Sequence, residues 1–216
     1  MSKLIKCLID KRTDCIPIWF MRQAGRHLPE FRKIRKHNTN FIKLCLNSDL
    51  SSEITLQPLK RYDIDAAIIF SDILMIPFAA GQKVNFKEGV GPILSDFKED
   101  IFLKKKLDCI PNSLKPVYDA IKKTRKKLDK QKALICFVGA PWTLIYYMKN
   151  FKKEPENFNN KENIKKILNK LVIFICEHIN NQKKAGAEVV QIFDSWAGVI
   201  DGDKMEEYCF KPNKII

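Results

Sequence analysis

Four short, almost unbroken apolar runs constrain this chain more than any other feature. They are Cys15 to Met21 (CIPIWFM), Asp65 to Phe70 (DAAIIF), Ala133 to Val138 (ALICFV) and Glu188 to Phe193 (EVVQIF). A strand that is apolar on both pleated faces must be covered on both, as in parallel sheets flanked by helices. Helical patterns fill the intervals. Asn47 to Leu59 carries Ile54, Leu56 and Leu59, with Ser51 or Ser52 as the expected N-cap, and further helices are expected over 97–108 and 113–130. A long amphipathic helix over 161–184 includes Ile164, Ile167, Leu168, Leu171, Ile175 and Ile179, and Gly186 closes it. Thr143 is a candidate cap for a helix after the third run. Lys83-Val-Asn-Phe-Lys87 instead alternates apolar with polar residues before Gly89 and Gly91-Pro92, which predicts a partly exposed ribbon outside the main sheet. Apolar strands alternating with helices predict an α/β fold with a parallel sheet and right-handed crossovers. Periodicity alone leaves a doubly wound sheet and a barrel equally open.

The 216 residues, 45% hydrophobic and 30% charged, suffice for one sizeable core, so a single domain is expected over 1–216. Seven cysteines (7, 15, 45, 109, 136, 176 and 209) form no CxxC pair and read as reduced core residues of a cytosolic protein. No apolar run approaches the roughly 18 residues of a membrane helix. The net charge of +14 raises a basic nucleic-acid-binding module as a rival function, with Lys122-Lys-Thr-Arg-Lys-Lys127 its sharpest patch. Those lysines, however, share a helical pattern with Leu114, Val117, Ile121 and Leu128, which assigns the charges to a solvated face, and no nucleic-acid module accompanies them. The three histidines, 27, 37 and 178, are scattered without metal-ligand spacing.

A polar cluster follows each apolar run: Arg22 after the first, Asp72 after the second, Gly139-Ala-Pro after the third and Asp194-Ser195 after the fourth. Active sites collect at the carboxyl ends of strands in both barrels and doubly wound sheets. No glycine-rich phosphate loop follows any strand, which counts against a nucleotide site. Arg22 and Arg26, four residues apart around Gly25, are able to converge on one carboxylate or phosphate. Asp72 reads either as a functional carboxylate or, together with Ser71, as the N-cap of a helix starting at Ile73-Leu74; Pro77 argues against a long helix there.

The string Met21-Arg-Gln-Ala-Gly-Arg-His-Leu-Pro-Glu-Phe-Arg32 resembles the signature of the uroporphyrinogen decarboxylase family. Phe70-Ser-Asp-Ile-Leu74, Gly139-Ala-Pro-Trp-Thr-Leu144 and Phe193-Asp-Ser-Trp-Ala-Gly198 resemble later segments of that family in the same order, and the resemblance extends over essentially the whole chain. His27 departs from it, standing where the family usually has Tyr. The resemblance implies a (β/α)₈ TIM-type barrel, a cytoplasmic homodimer, and decarboxylation of four acetate arms of a tetrapyrrole, uroporphyrinogen III, to coproporphyrinogen III in haem biosynthesis, with neither metal nor organic cofactor. It implies Asp72 as stabiliser of positive charge on the pyrrole, and Arg22 and Arg26 as carboxylate binders, one of which handles a proton or the scissile acetate. It further implies substrate contacts from Gln23, Ala24, Gly25, Tyr147 and Ser195; read alone, the last two hydroxyls are equally suited to capping or core-edge hydrogen bonds. Asp63, Asp65 and Asp194 are weaker candidates, and Trp142 and Trp196 read as packing. A corrinoid- or thiol-dependent methyltransferase of the same superfamily is the rival enzyme, but the chain has no HxC motif.

Four apolar runs fall short of the eight strands and typical ~250 residues of such a barrel. Residues 1–216 are therefore expected to be a C-terminally truncated portion, inactive alone, lacking the family's late substrate-contacting histidine. They are also expected to leave the run from Glu188 to Phe193 with a bare apolar edge.

Overall fold

The computed structural model describes residues 1–11, 16–87, 89–151 and 161–216. Its helices begin with α1 (Lys3–Asp10), α2 (Pro29–His37), α3 (Phe41–Cys45), α4 (Ser48–Leu56), α5 (Met75–Ala79) and α6 (Glu99–Leu103). They continue with α7 (Cys109–Lys127), α8 (Pro141–Met148), α9 (Lys161–Ala185), α10 (Gly202–Met205) and α11 (Lys211–Ile215), the last preceded by a π-helical turn over Glu206–Phe210. The strands are β1 (Ala66–Ile68), β2 (Val84–Lys87), β3 (Gly91–Leu94), β4 (Ala133–Gly139) and β5 (Val189–Phe193). The chain gathers into two compact units: Met1–Asp72 with Lys115–Phe137 and Asn181–Gln191, and Ile73–Leu114 with Val138–Asn180 and Ile192–Ile216.

The three-stranded sheet has the order β1-β4-β5. β1 and β4 are parallel, with Ala66 opposite Ala133 and Ile68 opposite Ile135. The Glu188 amide donates to the Leu134 carbonyl and the Ala140 amide to the Phe193 carbonyl, so β4 and β5 also run the same way. In the first unit Ala66, Ile68, Ala133, Ile135 and Leu4 are buried, with Trp19, Phe137 and Val189 packed against them. The unbroken apolar sequence of β1 and β4 is thus explained by cover on both faces.

The other two apolar runs behave differently. The first, whose Cys15 lies outside the described residues, is no strand: Ile16, Ile18 and Phe20 are exposed while Pro17 and Trp19 are half-buried. Pro17 has no N–H for a ladder. The segment is held by the Asp65 amide donating to the Ile18 carbonyl (2.8 Å) and the Ile18 amide donating to the Asp65 carboxylate (2.7 Å). The fourth run does form β5, but it is half-buried at every position rather than enclosed. The expected ribbon is present, β2 and β3 pairing antiparallel about a turn in which Gly89 and Gly91 take positive φ.

Two helix starts differ from expectation. Asn47 caps α4, its side chain accepting from the Leu50 amide, whereas Ser51 and Ser52 are buried inside the helix. Thr143 caps nothing; α8 starts at Pro141, whose missing N–H suits a first helical turn. The basic run of α7 is not a continuous charged face. Thr124 is fully buried, Lys123 pairs with Asp49 at 2.7 Å, and Arg125 pairs with Glu188 while donating to the carbonyls of Leu128, Asp129 and Lys132.

In the second unit α9 buries Ile164, Ile167, Leu168, Leu171 and Ile175, and with them His178. Burial pushes the His178 imidazole down to about 3 from an ordinary 6.5. The unfolded chain therefore takes up a proton at this site below pH 6.5 that the folded chain refuses until about 3, so the contribution to stability is complete above 6.5 and falls as the pH drops. Urea unfolding should show His178→Gln losing about 1.5 kcal/mol less than the parent between pH 6.5 and 5. Parallel losses in the two proteins would rule this out.

Candidate active site

The arginine segment is a fastened turn. Gln23 is buried: its side-chain oxygen accepts from the Phe20 amide (3.1 Å), and its side-chain nitrogen donates to the Ala66 carbonyl of β1 (3.0 Å). The Gln23 side chain is thereby committed to holding the turn. The Leu28 amide closes the far side on the Gly25 carbonyl, and Arg32 donates to the carbonyls of Arg26 (2.8 Å) and His27 (3.4 Å). Leu28 and Phe31 then seat the start of α2 in a cluster with Leu44 and Ile54. Below it, Glu30 receives both arms of the Arg61 guanidinium at 2.7 and 2.9 Å, which holds its carboxyl down at about 2.

Arg22 and Arg26 both lie exposed on this turn. Arg32, Arg61 and Arg125 are engaged by carbonyls or carboxylates, whereas the Arg22 guanidinium has no partner among the described residues. Ala24 and Gly25 between the arginines are half-buried. The His27 ring sits 6.2 Å from that of Tyr62.

Asp72 is carried by the chain leaving β1. The Ile69 amide donates to the Ile135 carbonyl, the Phe70 amide to the Thr55 hydroxyl (2.9 Å), and the Ser51 hydroxyl to the Phe70 carbonyl (2.7 Å). The Phe70 ring is gripped edge-on by Phe31 and Phe41. Ser51 is thus an anchor for this strand exit. Asp72 itself is half-buried; burial first, and its negative charge second, push the neighbouring Cys45 thiol up. Helix α5 begins beyond it with Leu74 in the cap position and no side-chain cap bond, so the capping reading of Asp72 fails. The arginine turn and Asp72 are accordingly both secured to β1 within one unit.

Asp63 and Asp65 have structural partners: Lys132 at 3.2 Å for the first, and Lys3 at 3.2 Å with the Ile18 amide for the second. Burial opposes ionisation of Asp65, but the Ile18 amide and Lys3 outweigh it and lower its carboxyl below the usual range.

In the second unit, Tyr147 lies near the end of α8, half-buried and edge-on to Trp196 at 5.8 Å. Ser195 is exposed in the turn after β5. Neither hydroxyl has a hydrogen-bond partner among the described residues, and neither caps a helix. Tyr146 packs on the same ring, stacked on Trp196 with ring centres 4.3 Å apart. Trp142 is almost wholly buried and stacks on Phe151 and Tyr208, as its packing assignment requires. One feature was missed in the sequence: Thr143 and Asp194 are joined, the hydroxyl donating to the carboxylate at 2.8 Å. Only the adjacency of Asp194 to Ser195 hinted at it.

The sequence matches the family model for uroporphyrinogen decarboxylase (URO-D) over residues 1–216. The chain belongs to the uroporphyrinogen decarboxylase family. It is 43% identical to the uroporphyrinogen decarboxylase of Rickettsia felis, covering 100% of this chain and 64% of that protein. The Rickettsia bellii enzyme is 41% identical, with 99% and 65% covered, and that of Rickettsia rickettsii 45%, with 94% and 61% covered. The chain therefore spans a little under two thirds of the length of these decarboxylases. A solved methyltransferase from Methanosarcina mazei superposes with a TM-score of 0.68 at 15% identity, over 99% of this chain and 65% of that one. At that identity the likeness shows the fold alone, an α/β arrangement of the TIM-barrel type. No helix among the described residues is long and apolar enough to cross a membrane.

Proposed function

We propose that the chain carries substrate-binding and charge-stabilising residues of a cytoplasmic uroporphyrinogen decarboxylase, which removes four acetate carboxyls from uroporphyrinogen III to give coproporphyrinogen III and CO₂. The observation that carries this reading is that two groups are secured to β1: the unpartnered Arg22 guanidinium, on the turn that Gln23 fastens to Ala66, and the half-buried Asp72, on the segment leaving the strand. The six described cysteines, all free thiols, agree with a reducing compartment. A substrate bearing eight carboxylates needs fixed donors to offset their desolvation, and an arginine fork meets a carboxylate with two parallel bonds. Arg22 and Arg26 supply such forks, with the backbone of Gln23, Ala24 and Gly25 between them. Loss of CO₂ requires an electron sink, which a protonated pyrrole ring provides, and Asp72 stabilises the cation as it develops. The hydroxyls of Tyr147 and Ser195 are proposed as further substrate contacts, and a homodimer as the assembly of the full-length enzyme.

The test is anaerobic incubation with uroporphyrinogen III, following hepta- to tetracarboxylate products by chromatography. It is run on the 216-residue chain and on that chain joined to the remaining third of the Rickettsia felis decarboxylase. Product from the joined protein is expected; none from either protein would overturn the proposal. Within the active protein, Arg22→Lys and Arg26→Lys keep the charge but lose the fork. Each should lower kcat/KM by roughly tenfold or more, equivalent to about 1.5 kcal/mol or above. Unchanged kcat/KM in both variants would make these arginines ordinary surface charges.

A further inference from the structure

The loop after β5 is bound to α8 by one hydroxyl and one indole N–H. Thr143, completely buried, donates to Asp194 Oδ1 at 2.8 Å and accepts the Trp196 amide at 3.1 Å, so a single side chain holds the residues on either side of Ser195. The Trp196 carbonyl is held as well, by the indole N–H of Trp142 at 2.9 Å. On the opposite side of the carboxylate, Asn213 of α11 donates to Asp194 Oδ2 at 3.1 Å. The Cys209 thiol, in the π-helical turn, also donates to Asp194; burial and that carboxylate together push the thiol up to about 12. A carboxylate offers about four acceptor positions, and three are taken here by three different segments. π-helical turns are rare and are found frequently at functional sites. What this network leaves uncommitted is the Ser195 hydroxyl, together with Tyr147, whose ring packs edge-on against Trp196.

We propose that Asp194 is a positioning residue for substrate binding: acting through Thr143, it fixes the Asp194–Trp196 turn so that Ser195 and Trp196 hold a constant place. This deepens the decarboxylase reading and rests on it for its effect on ligand, though not for its structural content.

Three variants test it in the 216-residue chain: Thr143→Val, which keeps shape and removes the hydroxyl; Thr143→Ser, which restores the hydroxyl; and Asp194→Asn, which keeps one acceptor and sets an amide against Asn213 and Cys209. The first readout is hydrogen exchange of the Trp196 backbone amide. In the parent it should be at least about 100-fold slower than an open amide. Thr143→Val should remove at least about 30-fold of that protection, and Thr143→Ser should restore it to within about threefold. The second readout is the near-ultraviolet dichroism of the stacked Tyr146–Trp196 pair, expected to fall by about half or more in Thr143→Val and Asp194→Asn with the far-ultraviolet spectrum unchanged. The third is anaerobic binding of coproporphyrinogen III, expected to weaken about tenfold in Thr143→Val, but less than about threefold when Ser195→Ala is already present.

A Trp196 amide that exchanges freely in the parent overturns the proposal without any variant. So does a Thr143→Val protein that keeps amide protection, dichroism and affinity within about twofold of the parent. If neither the 216-residue parent nor the joined protein binds coproporphyrinogen III, the decarboxylase reading is what fails, and the first two readouts still decide whether Asp194 and Thr143 fix the turn.

Discussion

Asp72→Asn is expected to lower the kcat for uroporphyrinogen III by at least about 100-fold, while affinity for coproporphyrinogen III changes by less than about threefold. Asparagine keeps the size of aspartate and one carbonyl acceptor, so what it removes is the negative charge. That charge matters little to a neutral pyrrole and much to a protonated one, so its loss raises the barrier without weakening the ground-state complex. Two structural facts favour a large effect. The chain leading to Asp72 is pinned by Ser51, Thr55 and Ile135, so the backbone that carries the carboxylate is held in place before substrate arrives. It is also half-buried, where a charge is screened less than in open solvent. The assay is steady-state kinetics on the joined protein described above. A kcat within about threefold of the parent would remove Asp72 from the mechanism.

Gly139→Val should cost roughly 3 kcal/mol of folding stability, at the upper end for overpacking. Gly139 ends β4 in an ordinary backbone conformation, so its requirement is space rather than φ. A Cβ placed there meets Leu144 Cδ2 at 2.6 Å and Ile73 Cβ at 3.2 Å. Leu144 is fully buried and cannot swing clear, so either α8 retreats or β4 bends. Helix α8 carries Thr143 and Tyr147, so retreat would also disturb the candidate site. Urea unfolding measures the loss. Gly139→Val combined with Leu144→Ala should be less destabilised than the sum of the two single changes by at least about 1 kcal/mol, because the second makes room for the first. A Gly139→Val chain within about 0.5 kcal/mol of the parent would show that the contact relaxes freely.

Much of the fold was legible because burial leaves its mark on composition. β1 and β4 are apolar at successive positions since both faces are covered, and α9 shows its buried stripe at helical spacing over 25 residues, terminated by Gly186. The same reasoning misjudged the run from Ile16 to Met21, because an apolar sequence does not reveal whether anything covers it. Ile16, Ile18 and Phe20 stand exposed on one side, and the backbone there meets Asp65 through a carboxylate as well as a carbonyl. Capping was misplaced for a related reason. Ser51 and Thr143 have the chemistry of caps, yet each is buried and spends its hydroxyl on a carbonyl or carboxylate: Ser51 on Phe70 and Thr143 on Asp194.

By itself the sequence determined most of the local content: three of the four expected strands, the long helices, the order of the polar clusters after them, and the family, carried by the string from Met21 to Arg32. It did so because period, turn chemistry and motif spacing are properties of neighbouring residues. Tertiary structure alone decided which polar side chains are free to act. Gln23 and Arg22 are adjacent, yet one is consumed bridging Phe20 to Ala66 and the other has no partner among the described residues. Asp63, Asp65, Asp72 and Asp194 are the same residue type, and they separate into two ion pairs, a half-buried carboxylate that caps no helix, and the hub of a hydrogen-bond network. The physical reason is that the role of a polar group depends on whether its bonding capacity is already satisfied, and that depends on atoms tens of residues distant along the chain.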